Sequence, residues 1–337
     1  MPSLRELSRL EGERAQQMLG WLLQYSPWVA ALESRQAFQL AATDFDLYPV
    51  DADASVQTRG VGGSYTKNAE TPPNRQPETL GFHGDSVTID RSHIVDDQRG
   101  LRPIESWINK KLMTKARLWA RGIDNLFFQG TGQDQADSRE MLGLLNLLDG
   151  SSNVPGFSQT FVIDAVDFLD TSPNSLDLSD PTHVEAFRRG LEQIIPEFQD
   201  PVIGANKQLG AVMGTIARQN QSYERIEGAF GQMIEQVYGG ELVRLANGSI
   251  TNTEPDNAGT PNNETTSLVI ADPAPGSYSG ATNGGLEVED ELDEILESKR
   301  SGEIDWELRV ENAVEDRYAV RRIRNIKLPS GVGNYID

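Results

Sequence analysis

The chain has 337 residues and a net charge of −21, with 51 Asp and Glu residues against 30 Lys and Arg residues. This balance disfavours general nucleic-acid binding, which needs a surplus of cations, and the absence of cysteine excludes disulfides, thiolate metal sites and cysteine nucleophiles. No apolar run reaches the roughly 18 residues that a membrane span needs. Arg5, Glu6 and Arg9 stand where a signal peptide would be apolar, so we expect a protein made and used in a cytoplasm.

The N-terminal part predicts a helix followed by an extended arm. Residues 3–25 have apolar residues at helical spacing up to Pro27. Residues 37–50 are strand-like, and residues 86–94 give the next strand signal. The polar stretch at 51–79, broken by glycine and proline, is too long for an ordinary connection. We expect a long two-stranded arm that lies on a neighbouring molecule, because an isolated hairpin is not stable by itself.

The longest helical pattern covers residues 103–129. Pro103 suits the first helical turn, and Gly130 supplies the stop. At about 1.5 Å per residue this helix is roughly 40 Å long, so it spans a structure lengthwise. Its apolar stripe consists of Ile108, Leu112, Ala116, Trp119, Ile123, Leu126 and Phe127.

Cations occupy the other side of the same helix. Between residues 99 and 121 there are seven Lys and Arg residues and one acid, Glu105. These cations either keep a helix face solvated or turn that face toward a polyanion. The residues of the second interpretation are Lys110, Lys111, Lys115, Arg117 and Arg121.

The remaining pattern mixes helices and strands. Helices are predicted at 140–148, at 181–198 after the N-cap Asp180, and at 314–322. Residues 208–246 read as an α/β unit with a strand at 211–213, a helix from about 215 and a strand at 241–246. Further strands are predicted at 268–271, 304–310 and 323–328, and residues 287–298 form an acidic, solvated face.

No constellation in the sequence indicates catalysis or a cofactor. His83, His93 and His183 share no metal-binding spacing. The loose cluster of Asp44, Asp46, Asp51 and Asp53 lacks the glycine and the terminal glutamate of a calcium loop. Phosphate-binding glycine loops and nucleophile motifs are also absent. An assembly subunit therefore explains the sequence better than an enzyme with a regulatory arm.

The order of these parts resembles the tailed-bacteriophage major capsid proteins of the Hong Kong 97 type. The resemblance rests on FFQGTG after the long helix, on MLGLLNLL, and on IDWELRVENAVEDRYAVRRIRNI near the end, and it covers roughly residues 15–330. It implies an α+β fold in which the helix 103–129 is the spine. The implied segments are an N-terminal arm (1–36), an extended loop with flanking strands (37–95), a peripheral domain (96–204), an axial α/β domain (205–285) and a return to the peripheral domain (286–337).

The resemblance also implies a function. Such a chain assembles with itself, as hexamers and pentamers, into an icosahedral shell around double-stranded DNA, inside the host cytoplasm and then in the virion. A separate scaffolding protein, a portal and decoration proteins are implied partners. The basic helix face would point to the lumen and meet DNA weakly. An encapsulin-like nanocompartment is the alternative within the same fold, although its members usually have a shorter extended loop.

In this family the extended loop lies across the adjacent subunit. The loop residues expected in that contact are Tyr65, Lys67, Pro72, Pro73 and Arg75. Some members join a loop lysine to a neighbour's asparagine with the help of a glutamate. Lys67 lies in the right region, but no Asn or Glu can be matched, so we do not predict a crosslink.

Overall fold

The structure is a computed structural model that describes residue 4 and residues 13–47, 76–90, 104–132, 134–135, 138–148, 161–171, 173–227, 233–246, 248–256, 265–291 and 301–329. Its helices are α1 (Glu13–Tyr25), α2 (Pro27–Ser34), α3 (Ile104–Gln129), α4 (Leu144–Leu148), α5 (Pro181–Ile194) and α6 (Lys207–Gln219). Short 3₁₀ turns cover Ala165–Phe168, Ile195–Glu197 and Arg317–Ala319.

The strands of the first half are β1 (Phe38–Leu40), β2 (Asp44–Leu47), β3 (Gln76–Thr79), β4 (Gly81–Asp90), β5 (Asp134–Gln135), β6 (Ser138–Arg139), β7 (Val162–Asp164) and β8 (Leu176–Asp177). Those of the second half are β9 (Val202–Asn206), β10 (Tyr223–Glu227), β11 (Met233–Val237), β12 (Gly240–Leu245), β13 (Thr265–Ala271), β14 (Tyr278–Thr282), β15 (Glu287–Asp290), β16 (Ser301–Val314) and β17 (Val320–Lys327). The mixture of helices and strands confirms the α+β class.

The first sheet is built around the long strand β16. Strands β15 and β14 pair with one edge of β16, β4 pairs with the other, and β1 extends the sheet beyond β14. Ile304, Trp306 and Leu308 alternate with half-buried residues and face the core, as the strand predicted at 304–310 requires. The rings of Trp306 and Trp119 of α3 pack edge to face at 6.4 Å, so α3 covers this face.

The second sheet has the order β10-β11-β12-β9-β13-β17-β7, and β8 also pairs with β17. One face, with Val202, Val243 and Val269, belongs to the same core as α3. The opposite face packs against α5 and α6 through a core that includes Phe187 and Met213. Because α3 contributes to the core of the first sheet and to one face of the second, it connects the two.

A separate two-stranded sheet, β2 with β3, belongs to neither large sheet. Leu47 of β2 packs with Leu80, Ala281 and Ala313 in a small cluster of its own. The two strands pair from Asp44 with Thr79 to Leu47 with Gln76, so residues 48–75 leave and return at this stem.

Helix α1 ends at Tyr25, as predicted, and Pro27 then begins α2 with Ser26 as its N-cap. Two other predicted elements are wrong. Residues 211–213, predicted as a strand, lie inside α6 because Asn206 caps a helix that starts at Lys207. The helix predicted at 314–322 is absent, since β16 extends to Val314 and β17 begins at Val320 after a 3₁₀ turn capped by Asp316.

Candidate assembly surfaces

Helix α3 buries the stripe that its sequence pattern predicts. Ile108, Leu112 and Ala116 are almost completely inaccessible, as are Ile123 and Phe127 further along the helix. The stripe is confirmed by this burial. It follows that only the opposite side of α3 is free to meet another molecule.

The free side of α3 presents both cations and apolar groups. Lys110 and Arg117 are exposed and Arg121 is half-buried. Met113 and Leu118 on this side are 39% and 63% exposed. The Arg117 guanidinium lies 5.5 Å from the ring centroid of Tyr25 on α1, a cation–π contact that leaves the charge near solvent.

The two other predicted basic residues contact strand β4 of the same chain. Lys115 Nζ donates to the Ser86 carbonyl oxygen at 2.5 Å and forms an ion pair with Asp85 at 3.1 Å. Lys111 Nζ donates to the Thr88 carbonyl oxygen at 3.4 Å. The five cations therefore divide into two sets: Lys110, Arg117 and Arg121 lie on the outward side of α3, whereas Lys111 and Lys115 face β4.

The second half of α3 is anchored through a buried carboxyl group. Ser26 Oγ donates to Asp124 Oδ1 at 2.5 Å, and the backbone N–H groups of Trp28 and Val29 also donate to Asp124. Complete burial raises the pKa of Asp124 to about 7, although these hydrogen bonds act in the opposite direction. The contact joins α3 to the start of α2.

The turn after α3 is held by two neighbouring residues of β16. Asn312 Nδ2 donates to the carbonyl oxygens of Phe127 and Leu142, at 3.1 and 2.7 Å. The Glu311 carboxylate accepts from the backbone N–H of Leu142 at 2.9 Å, and burial raises its pKa well above the ordinary range. The spine helix is thus fixed at this end to the longest strand of the first sheet.

The residues predicted to make the extended-loop contact lie outside the described residues; they are Tyr65, Lys67, Pro72, Pro73 and Arg75. Three candidates for metal binding, His93, Asp51 and Asp53, also lie outside them.

The described candidates for chemistry are not gathered into a site. His83 is buried on β4, whereas His183 Nδ1 accepts from the Asp177 backbone N–H at 2.9 Å. Within the described ranges, no group of three or more His, Asp or Glu residues is arranged to hold a metal ion. In the same part of the chain, no helix is long and apolar enough to cross a membrane.

One surface was not predicted from the sequence, the hairpin formed by β10 and β11. Arg225 Nε donates to Tyr223 Oη at 2.7 Å, and the Glu235 carboxylate accepts from both Arg225 and Arg244. Ile226 and Met233 near its end are 40% and 62% exposed. Residues 223–227 (YERIE) contain three charged residues and one aliphatic residue, so the sequence carries no alternating apolar pattern there.

No protein-family model matches the sequence, and no curated protein is similar to it. Among solved structures, the chain is similar to the holo-SrpI encapsulin complex from Synechococcus elongatus PCC 7942, with 12% identity, a TM-score of 0.49, and coverage of 89% of this chain and 87% of that chain. The virus-like particle from Pyrococcus furiosus is similar with 7% identity and a TM-score of 0.48, and the match covers 91% of this chain and 95% of that chain. The capsid of Myoviridae phage XM1 is similar with 10% identity and a TM-score of 0.47, and the match covers 85% of this chain and 87% of that chain. Because these identities and TM-scores are low, the function proposed below rests on the chain's own sequence and geometry.

Proposed function

We propose that this chain is a shell-forming protein, and specifically the major capsid protein of a tailed bacteriophage, with a Hong Kong 97-like fold. The described parts have the order that the resemblance implies: a helical N-terminal segment, a stem with a long intervening segment, a 26-residue spine helix and a terminal tryptophan-containing strand. The role is structural and not enzymatic. The division into arm, extended loop, peripheral and axial segments belongs to the same proposal.

The observation that carries the proposal is the separate β2–β3 stem. Each strand has only four residues, and the pair joins neither large sheet. The stem bounds residues 48–75, a polar segment of 28 residues that contains Tyr65, Lys67, Pro72, Pro73 and Arg75. So short a hairpin buries too little surface to hold the long segment 48–75 in place by itself. Contact with a neighbouring subunit supplies the missing burial, and contacts of this kind that repeat around an axis close a shell.

The partners follow from this role. The chain would pair chiefly with itself, in hexamers and pentamers, while a separate scaffolding protein, a portal and decoration proteins complete the head. Assembly takes place in the cytoplasm of the bacterial host, and the mature location is the virion. The enclosed material is double-stranded DNA, so DNA within purified particles supports a phage head, whereas folded cargo protein would indicate a nanocompartment.

The role of the segment 48–75 in assembly can be tested by replacing it with Asn-Gly. Leu47 and Gln76 are directly paired, so a two-residue turn closes this hairpin without moving its strands. We expect the full chain, produced with its genomic neighbours, to form uniform polyhedral particles in negative-stain microscopy. The shortened chain should keep the same circular dichroism spectrum and remain as small species. A full chain that stays monomeric with all neighbours present, or a shortened chain that assembles equally well, would contradict the proposal.

We further propose that the free side of α3 faces the lumen and meets DNA weakly. Lys110, Arg117 and Arg121 carry this contact, because Lys111 and Lys115 are turned toward β4. Weak binding suits packaging, since a chain of net charge −21 repels DNA over most of its surface. A cryo-EM map of the shell tests the orientation, and a map with Lys110 and Arg121 on the outer surface would exclude it.

A further inference from the structure

Strand β4 has one edge that no described strand occupies. It pairs with β16 along ten consecutive residues, from Gly81 with Val310 to Asp90 with Ser301. No other described strand pairs with it. A long edge strand with open backbone groups is a template for a strand from another chain, and native proteins usually protect such edges.

The backbone of Ser86 shows which groups point to this open edge. Its N–H donates to the carboxylate of the adjacent Asp85 at 2.8 Å instead of bonding to β16. Backbone groups two residues apart in a strand point the same way. The carbonyl groups of Ser86 and Thr88 therefore lie on the edge away from β16, where an added strand would donate its N–H groups.

Two lysines of α3 occupy those positions. Lys115 and Lys111 are one helical turn apart, so their side chains extend from the same side of α3. They donate to the carbonyl oxygens of Ser86 and Thr88, at 2.5 and 3.4 Å. Asp85 both pairs with Lys115, at 3.1 Å, and accepts from the Ser86 N–H. Side chains of this chain thus satisfy three outward backbone groups of the strand.

We propose that Lys111 and Lys115 guard the open edge of β4 against addition of a strand from a second copy of the chain. Without such a guard, the open edge would pair with strands of other copies whenever the chain is concentrated. Charged donors suit this role, since covering them with a partner strand would cost their solvation. The inference depends on the geometry of α3 and β4 and holds whether or not the chain forms a shell.

The test compares two double variants of the full chain that remove the same number of charges. Lys111→Met with Lys115→Met removes the guard but keeps the length of each side chain. Lys110→Met with Arg121→Met is the matched control, because it removes two cations from the free side of the same helix. Both are studied as unassembled protein by sedimentation velocity over a range of concentrations, and by hydrogen–deuterium exchange of the peptides that cover residues 81–90.

We expect the guard variant to associate at concentrations several-fold lower than the original chain, with slower exchange in residues 81–90 of the associated form. The control should behave like the original chain. Equal association of both variants would attribute the effect to lost charge, and association without protection of residues 81–90 would place it on another surface; either result overturns the proposal. If the double variant fails to fold, the single variant Lys115→Met replaces it in the test. A native near-UV circular dichroism spectrum is the criterion for folding. Unchanged association of that folded single variant would also overturn the proposal.

Discussion

Asp124 and His83 are buried titratable side chains whose burial shifts their pKa values in opposite directions. The pKa of Asp124 rises from 3.8 to about 7, and that of His83 falls from 6.5 to about 4. Burial disfavours the charged form of each group, so a carboxyl group keeps its proton and an imidazole loses it. The two residues must therefore contribute opposite slopes to stability against pH.

Asp124 binds its proton more tightly in the folded state than in the unfolded state. Its contribution to the free energy of unfolding is fully present below about pH 4 and is lost as pH rises through about 7. Between about pH 5 and pH 6.5, the free energy of unfolding should fall by about 1.4 kcal/mol per pH unit from this group alone. We expect Asp124→Asn to remove this slope, because an amide does not titrate. The fold should be kept, since the amide oxygen can still accept from the Trp28 and Val29 N–H groups. Urea unfolding followed by tryptophan fluorescence measures the difference, and equal slopes in both proteins would contradict the assignment.

His83 gives the opposite expectation. Its Nε2 is buried and has no hydrogen-bond partner in the described structure, while Glu140 and Glu307 offset the effect of burial only in part. Its contribution is present above about pH 6.5 and is lost as pH falls through about 4. We expect His83→Gln to make stability fall more steeply with rising pH over that window than in the original chain. Parallel pH profiles for His83→Gln and the original chain would show that folding does not shift the pKa of His83, and would contradict the expectation.

At the level of the element, the end of α3 depends on two glycines that touch. A Cβ atom on Gly143 would lie 2.5 Å from the backbone nitrogen of Gly130 and from the carbonyl oxygen of Phe128. Backbone atoms cannot move aside as a side-chain end can. The phrase FFQGTG therefore marks a place where two stretches of backbone meet closely, in addition to a helix stop.

Gly143→Ala should destabilise the chain by about 2 kcal/mol or more, as overpacking in a tight site does. The control is Gly122→Ala in α3, where an added Cβ meets nothing within 4 Å and should stabilise the helix by about 0.5–1 kcal/mol. Thermal unfolding of the two variants compares them directly. A Gly143→Ala variant as stable as the original chain would mean that the Gly130–Gly143 contact is looser than described.

The same elements show how far local pattern predicts structure. The buried stripe of α3 and the alternation in β16 are confirmed because each element buries one face, and a buried face fixes the period of its apolar residues. Helix α6 was misjudged because its start depends on Asn206, and because Gly210 and Gly214, one turn apart, allow close packing against Arg244 of β12. The helical spacing of Leu209, Met213 and Ile216 is present in the sequence, but the two glycines and the short run Ala211–Met213 obscured it.

At the level of the whole molecule, the dominant property is the net charge of −21. Copies that repel one another assemble slowly at low ionic strength. Raising the salt concentration from about 10 mM to about 150 mM shortens the screening length from about 30 Å to about 8 Å. We therefore expect assembly, followed by light scattering, to accelerate with potassium chloride but not with sucrose at equal osmolality. Slower assembly in salt would indicate that attractive ion pairs between subunits dominate.

The sequence by itself determined the mixture of helices and strands, the length and buried face of the spine helix, and the acidic character of the chain. These are local or summed properties, set by periodicity, composition and charge. Only the tertiary structure decided which cations of α3 are free, because Lys111 and Lys115 differ from Lys110 only in their direction toward β4. The same holds for Asp124 and Glu311, since the surroundings that bury a carboxyl group come from distant parts of the chain.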